Sequence, residues 1–303
     1  MIIVTLVATL AASMVWQQWR AVQVETAERA REQSAWILSG ALDWARLILR
    51  EDARSAGGTG AVDHLGEPWA VPLAEARLST FLAADKNATD DAPDAFLSGT
   101  ISDAQARFNL TNLVKAGKVD PLALAALVRL CDAVGASADA ANRIATGLLS
   151  ATPSGALEPT APLLPRSVGQ LDWLGVDPAT TRLLAPYVVL LPAPTKVNVN
   201  TAPREVLAAV VNGLDLASAE RLVQLRQHTP FRSAADIARQ VTQVKAEDLA
   251  AAPLDVGSSY FEVRGRLRLG DRVLEQTSLV MRRGIEVTVV QRQRVSSRDQ
   301  PGS

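Results

Sequence analysis

The chain has 303 residues, 48% of them hydrophobic and 21% charged, with 31 Lys and Arg against 32 Asp and Glu. That length allows two or three packed units, and that balance gives the protein as a whole no polycationic reason to bind nucleic acid or anionic lipid, so any such binding has to be local. One cysteine and two histidines exclude a disulfide framework and an ordinary Cys/His zinc cluster.

From Met1 to Trp19 there is no charge, and Trp16 and Trp19 stand just before Arg20. A spanning helix needs about 20 apolar residues, and tryptophans collect at bilayer interfaces. Ile2, Ile3, Leu6, Val7, Leu10, Met14 and Trp16 are therefore expected to face lipid or partner helices. A cleaved secretory signal is the rival reading, but the basic start and small-residue cleavage site it needs do not appear cleanly. Apolar or small residues continue at helical spacing through Val24, Ala27, Ala35, Leu38, Leu42, Ala45 and Leu49 without a proline. The spacing predicts one helix over 1–50, with 1–19 in the membrane. Its second half, with Trp36, Leu38, Leu42, Trp44 and Ile48, is expected to lie on a globular core. A single-span anchor followed by a separate helix is the alternative.

Gly57-Gly58-Thr59-Gly60 breaks this pattern, VDHLGEPWAVPL is turn-rich, and FLAADKNATDDAPD at 81–94 reads as a polar loop. FLSGTISDAQARFNL reads as strand, turn, strand around Ser102-Asp103, which closes a first α/β stretch over 51–110. Residues 111–255 are helical in pattern. Asp120-Pro121 and Asp177-Pro178 offer N-caps with proline at the first helical position, Gly135 offers a stop, and ATPSGALEPTAPLLPRS is a loop between two helical subunits. Cys131, in LVRLCDAVG, sits on an apolar stripe and reads as core packing.

Alternation returns at Tyr260. Phe261, Val263, Leu267 and Leu269 share one face, and Glu262, Arg264, Arg266 and Arg268 the other. Gly270-Asp271 and Gly284 separate this strand from RVLEQTSLVMRR and IEVTVVQ, so 256–293 supplies three strands and 294–303 a polar tail. Two strands before the helical block and three after it are expected to form one antiparallel sheet on the soluble half of the first helix.

VNVNTAPREVLAAVVNGLDLASAERLVQLRQHTPFRSAADI resembles helix-hairpin-helix modules, whose glycine hairpin offers backbone N–H groups to a phosphate. Here the hairpin reads Asn212-Gly213-Leu214-Asp215, with an acid where a second glycine would stand, and 196–248 carries seven Lys or Arg against six acids. So small a charge surplus gives a phosphate backbone little grip. The stretch reads as architecture: Thr201 or Asn200 as N-cap, Pro203 in the first turn and Glu205 favoured by the helix dipole. A membrane-tethered DNA-binding protein of the competence type is the alternative function. No nucleophile elbow, phosphate loop or His-Glu-x-x-His occurs, so no enzyme is expected. His64, beside Asp63 and Glu67, reads as a hydrogen-bonded structural residue, and His228 as the end of a helix.

DHLGEPWA at 63–70, ISDAQARFNLTNL at 101–113 and LAPYVVLLPAPTKVNVNTAPREVLAA at 184–209 together resemble the minor pseudopilin K of bacterial type II (general) secretion systems. The resemblance implies an α+β fold in which a pilin-like N-terminal helix packs on an antiparallel sheet. A large all-α domain of SAM-like, helix-hairpin-helix-like subunits is inserted between strands. It further implies a structural subunit that caps or initiates the periplasmic pseudopilus from the inner membrane. Its implied partners are minor pseudopilins I and J and the major pseudopilin fibre, with no nucleic acid among them. The family carries a basic leader ending in glycine, cut by a prepilin peptidase; nothing of that kind precedes Met1, so the natural start is expected upstream or the leader missing. No cofactor is required by the resemblance, but calcium binding is known in the family. Asp90, Asp91 and Asp94, with Asp63 and Glu67, are the candidate ligands. No spacing here matches an EF-hand, and a solvated acidic loop is the competing reading.

Overall fold

The computed structural model describes residues 1–55, 62–78, 95–152, 162–270 and 272–298. Helix α1 (Ile2–Ser55) is a single helix of 54 residues, as the unbroken spacing predicts, and is about 80 Å long at 1.5 Å per residue. Residues 1–26 are all exposed, and burial begins only at Ser34, Leu38, Leu42, Ala45, Leu49 and Ala53. Those positions recur at three and four residues, so they form one stripe. Trp36 and Trp44 were expected to lie on the core and do not: they are 79% and 50% exposed. Both fall on the opposite side of the helix from the Leu38–Leu49 stripe, and apolar composition alone did not say which face packs.

The stripe covers a five-stranded sheet of order β1-β2-β3-β4-β5, formed by β1 (Leu73–Arg77), β2 (Ala95–Asp103), β3 (Tyr260–Leu269), β4 (Arg272–Arg283) and β5 (Glu286–Arg298). Every pairing is antiparallel. Two strands precede the helical block and three follow it, but the first pair differs from the expected one. The chain after Ser102-Asp103 does not turn back into this sheet. It makes a 3-10 turn (Ala104–Ala106), and Phe108-Asn109 pairs in parallel with Val188-Val189 of the helical block. The missing strand is supplied by Leu73–Arg77, which begins at the last residue of the stretch read as turn-rich and runs on into residues given no element. The last strand is also longer than expected: it runs through Arg298 and takes up the first half of the stretch read as a polar tail.

In β3 the alternation holds: Phe261, Val263 and Leu267 are buried under α1, while Arg264 and Arg266 are exposed. Two clusters result. Leu42, Ala45, Leu49, Trp69, Phe261, Val280 and Val287 form one, with Trp69 and Phe261 edge to face at 5.2 Å. Leu38, Ala95, Leu97 and Leu267 form the other. Gly265 lies under α1, where a Cβ would stand 3.2 Å from Leu38 Cδ2, so the helix approaches the strand more closely than a side chain would permit.

Between β2 and β3 the helices α2 (Pro121–Val134), α3 (Ala138–Ala151), α4 (Pro178–Leu184), α5 (Arg204–Val210), α6 (Leu216–His228), α7 (Ala234–Gln240) and α8 (Ala246–Ala251) surround their own core. That core includes Phe108 and Leu110, so the boundary drawn after residue 110 falls inside helical packing. Asp120 and Asp177 cap as expected, each Oδ1 accepting two backbone N–H groups, and Gly135 ends α2 at φ 75°. Cys131 is fully buried in this core, and burial pushes its thiol up to about 11, which suits packing and not nucleophilic attack.

Candidate functional site

The two bodies meet at a buried polar junction built from four separate stretches of sequence. Asp103, the last residue of β2, is 5% exposed. Its Oδ2 accepts from Asn198 Nδ2 (3.0 Å), Thr201 Oγ1 (2.6 Å) and Ser258 Oγ (2.6 Å), and its Oδ1 from the Gln105 N–H (2.7 Å). Burial pushes the Asp103 carboxyl above the usual range, against the pull of those donors. Asn198 also donates to the Asp63 carbonyl, and Asp63 Oδ2 accepts from the Ser258 N–H at 2.6 Å. Gln105 completes the seam, donating to the Lys196 carbonyl and accepting from the Ser259 N–H.

Beside this seam lies the one acidic cluster the sequence half anticipated. Asp63 and Glu67 come together, joined by Asp52 from α1, with carboxylate oxygens within 4.8 Å of one another. The cation there is Arg282, 6% exposed. Its Nη1 donates to Asp52 Oδ2 at 2.7 Å and its Nη2 to Asp63 Oδ1, while its ring-side contact is Phe261 at 4.7 Å. Glu67 Oε2 already accepts the His64 N–H (2.8 Å) and the Trp69 indole N–H (2.7 Å). A calcium ion needs several oxygens turned toward it. Here Asp52 and Asp63 are paired with a buried guanidinium and one Glu67 oxygen already accepts two N–H groups, so the cluster is met by the protein's own cation and these oxygens are not turned to a common calcium position. Asp90, Asp91 and Asp94 lie outside the described residues.

Three carboxyls around one buried guanidinium leave excess negative charge. Burial accordingly pushes Asp63 up to about 6 despite Arg282, and burial with the nearby acids pushes Glu67 up to about 7. Burial lowers His64, whose Nδ1 accepts from the Gly66 N–H at 3.1 Å, in keeping with the structural role expected of it.

The helix-hairpin-helix stretch is occupied by its own packing. Gly213 adopts φ 78°, but Asp215 is the N-cap of α6, with its Oδ1 on the Ser218 N–H and its Oδ2 on the Ser218 hydroxyl. An anion approaching this turn meets a carboxylate that those two donors keep ionised well below the usual range. The expected N-cap of α5 is corrected: Pro203 stands there with no side-chain cap. Thr201 is committed to Asp103, and Asn200 bridges to Phe231 through both its amide atoms. Arg226 is likewise buried, donating to the Val199 and Ala202 carbonyls, so this cation braces the loop and is not offered to a phosphate. His228 is the last residue of α6, as expected.

The lipid- or partner-facing candidates Ile2, Ile3, Leu6, Val7, Leu10, Met14 and Trp16 are all more than half exposed on α1, the one described helix long and apolar enough to cross a membrane. Sequence reasoning missed Asp52, Asp103, Ser258 and Arg282. The signal available was parity: Arg282 shares the inward face of β4 with Ser278 and Val280, and an arginine at an inward strand position calls for buried acids.

Two family models, both described as type II secretion system protein K, match over residues 106–193 and 197–257, which together span the helical block. Type II secretion system protein K of Pseudomonas aeruginosa is 31% identical over 295 residues, covering 90% of this chain and 83% of that protein. The protein of the same name from Pectobacterium carotovorum subsp. carotovorum is 26% identical, covering 97% and 93%. Among solved structures, a chain in the GspK-GspI-GspJ complex of enterotoxigenic Escherichia coli superposes with a TM-score of 0.66 at 21% identity, over 89% of this chain and 99% of that one. A long apolar-ended helix on an antiparallel sheet, a helical block between its strands, and a relative of this identity over this length lead to one assignment: the chain belongs to the type II secretion system protein K family of minor pseudopilins.

Proposed function

We propose that this subunit caps or initiates the periplasmic pseudopilus, held in the inner membrane by the first third of α1, and that it works by packing and not by catalysis. The observation that carries the reading is the division of α1. Residues 1–26 bury nothing within the subunit, whereas Leu38 to Ala53 are sealed under the sheet. An apolar helix end with no intramolecular partner is stable in lipid or against equivalent helices, and leaving the bilayer exchanges one for the other. The helical block sits at the end of the sheet away from that helix end, since β2 enters it at Asp103 and β3 leaves it at Tyr260, both near the C-terminal end of α1. A bulky block there stands over that end of the sheet, which suits a terminal position.

The relative from enterotoxigenic Escherichia coli assembles with GspI and GspJ, and the corresponding minor pseudopilins I and J are the partners we assign to this chain. Mixing the full chain in detergent with its cognate I and J subunits and measuring the mass of the product tests this. A ternary complex with one copy of this chain is expected; absence of association with either subunit refutes the assignment. Salt-dependent retention on DNA at low ionic strength would instead support the tethered DNA-binding reading.

A further inference from the structure

Resting on the assignment of I and J as partners above, we infer a further contact with them: the free edge of β5 takes up an extended, acid-bearing segment of a partner pseudopilin as an added strand. β5 is the outermost strand of the five-stranded sheet, and it is long, Glu286–Arg298. The strand at the other edge, β1, has five residues. A row of unpaired N–H and C=O groups along an edge of that length is a template on which another chain can pair.

The strand register fixes which groups are free. The Arg282 N–H donates to the Ser259 carbonyl on the β3 side, so in β4 the even-numbered residues turn their N–H and C=O to β3 and the odd-numbered ones to β5. Thr277, Glu275 and Val273 stand opposite Gln293, Val295 and Ser297, which leaves Arg292, Arg294 and Ser296 with theirs pointing out of the sheet. Among the described residues no backbone group bonds to them there. Further up, past the extra residue at Val290, the outward carbonyl of Val287 is taken by Arg46 Nε and Nη2 at 3.0 and 2.8 Å. Helix α1 thus closes the upper part of the edge and leaves 292–296 open, level with Val263 to Leu267 of β3.

Charge selects the occupant. Arg292 and Arg294 are exposed, and across the ladder they stand opposite Ser278 and Gln276, neither of them an acid. Arg294 Nε donates to Gln276 Oε1 at 2.7 Å, a neutral partner that leaves the charge in place. The one acid of β5, Glu286, is at the far end of the strand. A second copy pairing edge to edge about 292, 293 or 294 sets arginine opposite arginine, which is destabilising. A strand with acidic residues at alternate positions meets both arginines on one face while its backbone meets the outward N–H and C=O groups. The place suits a partner subunit. Leu38 of α1 lies over Gly265 and Leu267 while Asp52 meets Arg282, so the open edge runs down beside α1 toward the bare residues 1–26 that a neighbour covers.

Amide hydrogen exchange, read residue by residue on the full chain in detergent, free and in complex with I and J, tests this. In the free subunit the amides of Gln293 and Val295 are expected to be protected by β4, and those of Arg292, Arg294 and Ser296 to exchange freely. In the complex the second set is expected to slow about tenfold or more. Arg292→Pro removes an N–H that the subunit itself does not use, which an edge strand tolerates. It is expected to melt near the wild-type temperature and to weaken capture of I and J about tenfold, and Arg292→Ala, which keeps the N–H, to weaken it less. A proline variant that binds as well as the alanine one overturns the proposal. A complex whose outward amides still exchange freely also overturns it, since the arginines then only blunt the edge, and leaves the assignment of I and J intact. Protection of those amides in the subunit alone, rising with its concentration, makes a second copy the occupant and the proposal falls. Failure of I and J to associate at all removes the partner assignment and this contact together.

Discussion

At the level of single residues, the charge around Arg282 makes the largest demand on the fold. The guanidinium is 6% exposed and bonded to Asp52 and Asp63. Breaking a buried pair from one side leaves an uncompensated charge and costs about 3–5 kcal/mol; Arg282→Met is expected to destabilise by that order in denaturant titration. The excess acid has the opposite sign of effect. Asp63 at about 6 and Glu67 at about 7 both lie above their unfolded values of 3.8 and 4.5, so the folded state binds protons more tightly than the unfolded one. Their contribution to stability is therefore complete below about pH 4 and is lost as pH rises through 6 and 7. Glu67→Gln keeps an acceptor for the His64 and Trp69 N–H groups while removing the titration. It is expected to flatten the pH profile and to raise stability above about pH 7 by about 1 kcal/mol. A wild-type profile that rises with pH across this window would refute the charge count.

At the level of elements, the close contact of α1 with β3 sets the body's geometry. A side chain at Gly265 must displace Leu38, and Gly99 opposite it is similarly constrained, with a Cβ only 3.1 Å from the Arg264 carbonyl. Gly265→Val is expected to cost about 1–3 kcal/mol by overpacking. Leu42→Ala, in the sealed stripe, is expected to cost about 2–5 kcal/mol, whereas Trp36→Ser and Trp44→Ser on the outer face should change thermal stability by under about 0.5 kcal/mol. These contrasts mark what the sequence could convey. Period-3.6 spacing announced α1 and period-2 spacing announced β3, because each pattern persists for many residues. The Asp-Pro caps were legible because capping is decided within four residues. Strand β1 was not, because Leu73–Arg77 is only five residues long and its place is set by pairing with β2, a tertiary fact. The same holds for Thr201, which looks like an N-cap locally and is drawn instead to Asp103 across the junction.

For the whole molecule, the question is how a helical block with its own core stays in register with the sheet it interrupts. The apolar connection is small: Ala104, Val189, Leu191 and Tyr260 form a separate cluster between the two larger cores. The polar seam is more specific, since Asp103 gathers donors from β2's own exit turn, from the loop before α5 and from the chain returning to β3. Each such hydrogen bond contributes about 0.5–1.5 kcal/mol net, so the seam couples the two bodies by several kcal/mol and makes them unfold together. Removing the acceptor strands the buried Asn198, Thr201 and Ser258 donors without loosening either core. Asp103→Ala is therefore expected to split a single calorimetric transition into two, one for the sheet with α1 and one for the helical block. The lower transition should move and the upper should stay nearer its wild-type position, because the loss falls on the seam and the apolar side chains of the block's core, Leu127, Leu130, Ile144 and Leu207 among them, are kept. If the variant still melts in one step, merely shifted down, the apolar cluster around Tyr260 carries the coupling and the polar seam is incidental to it.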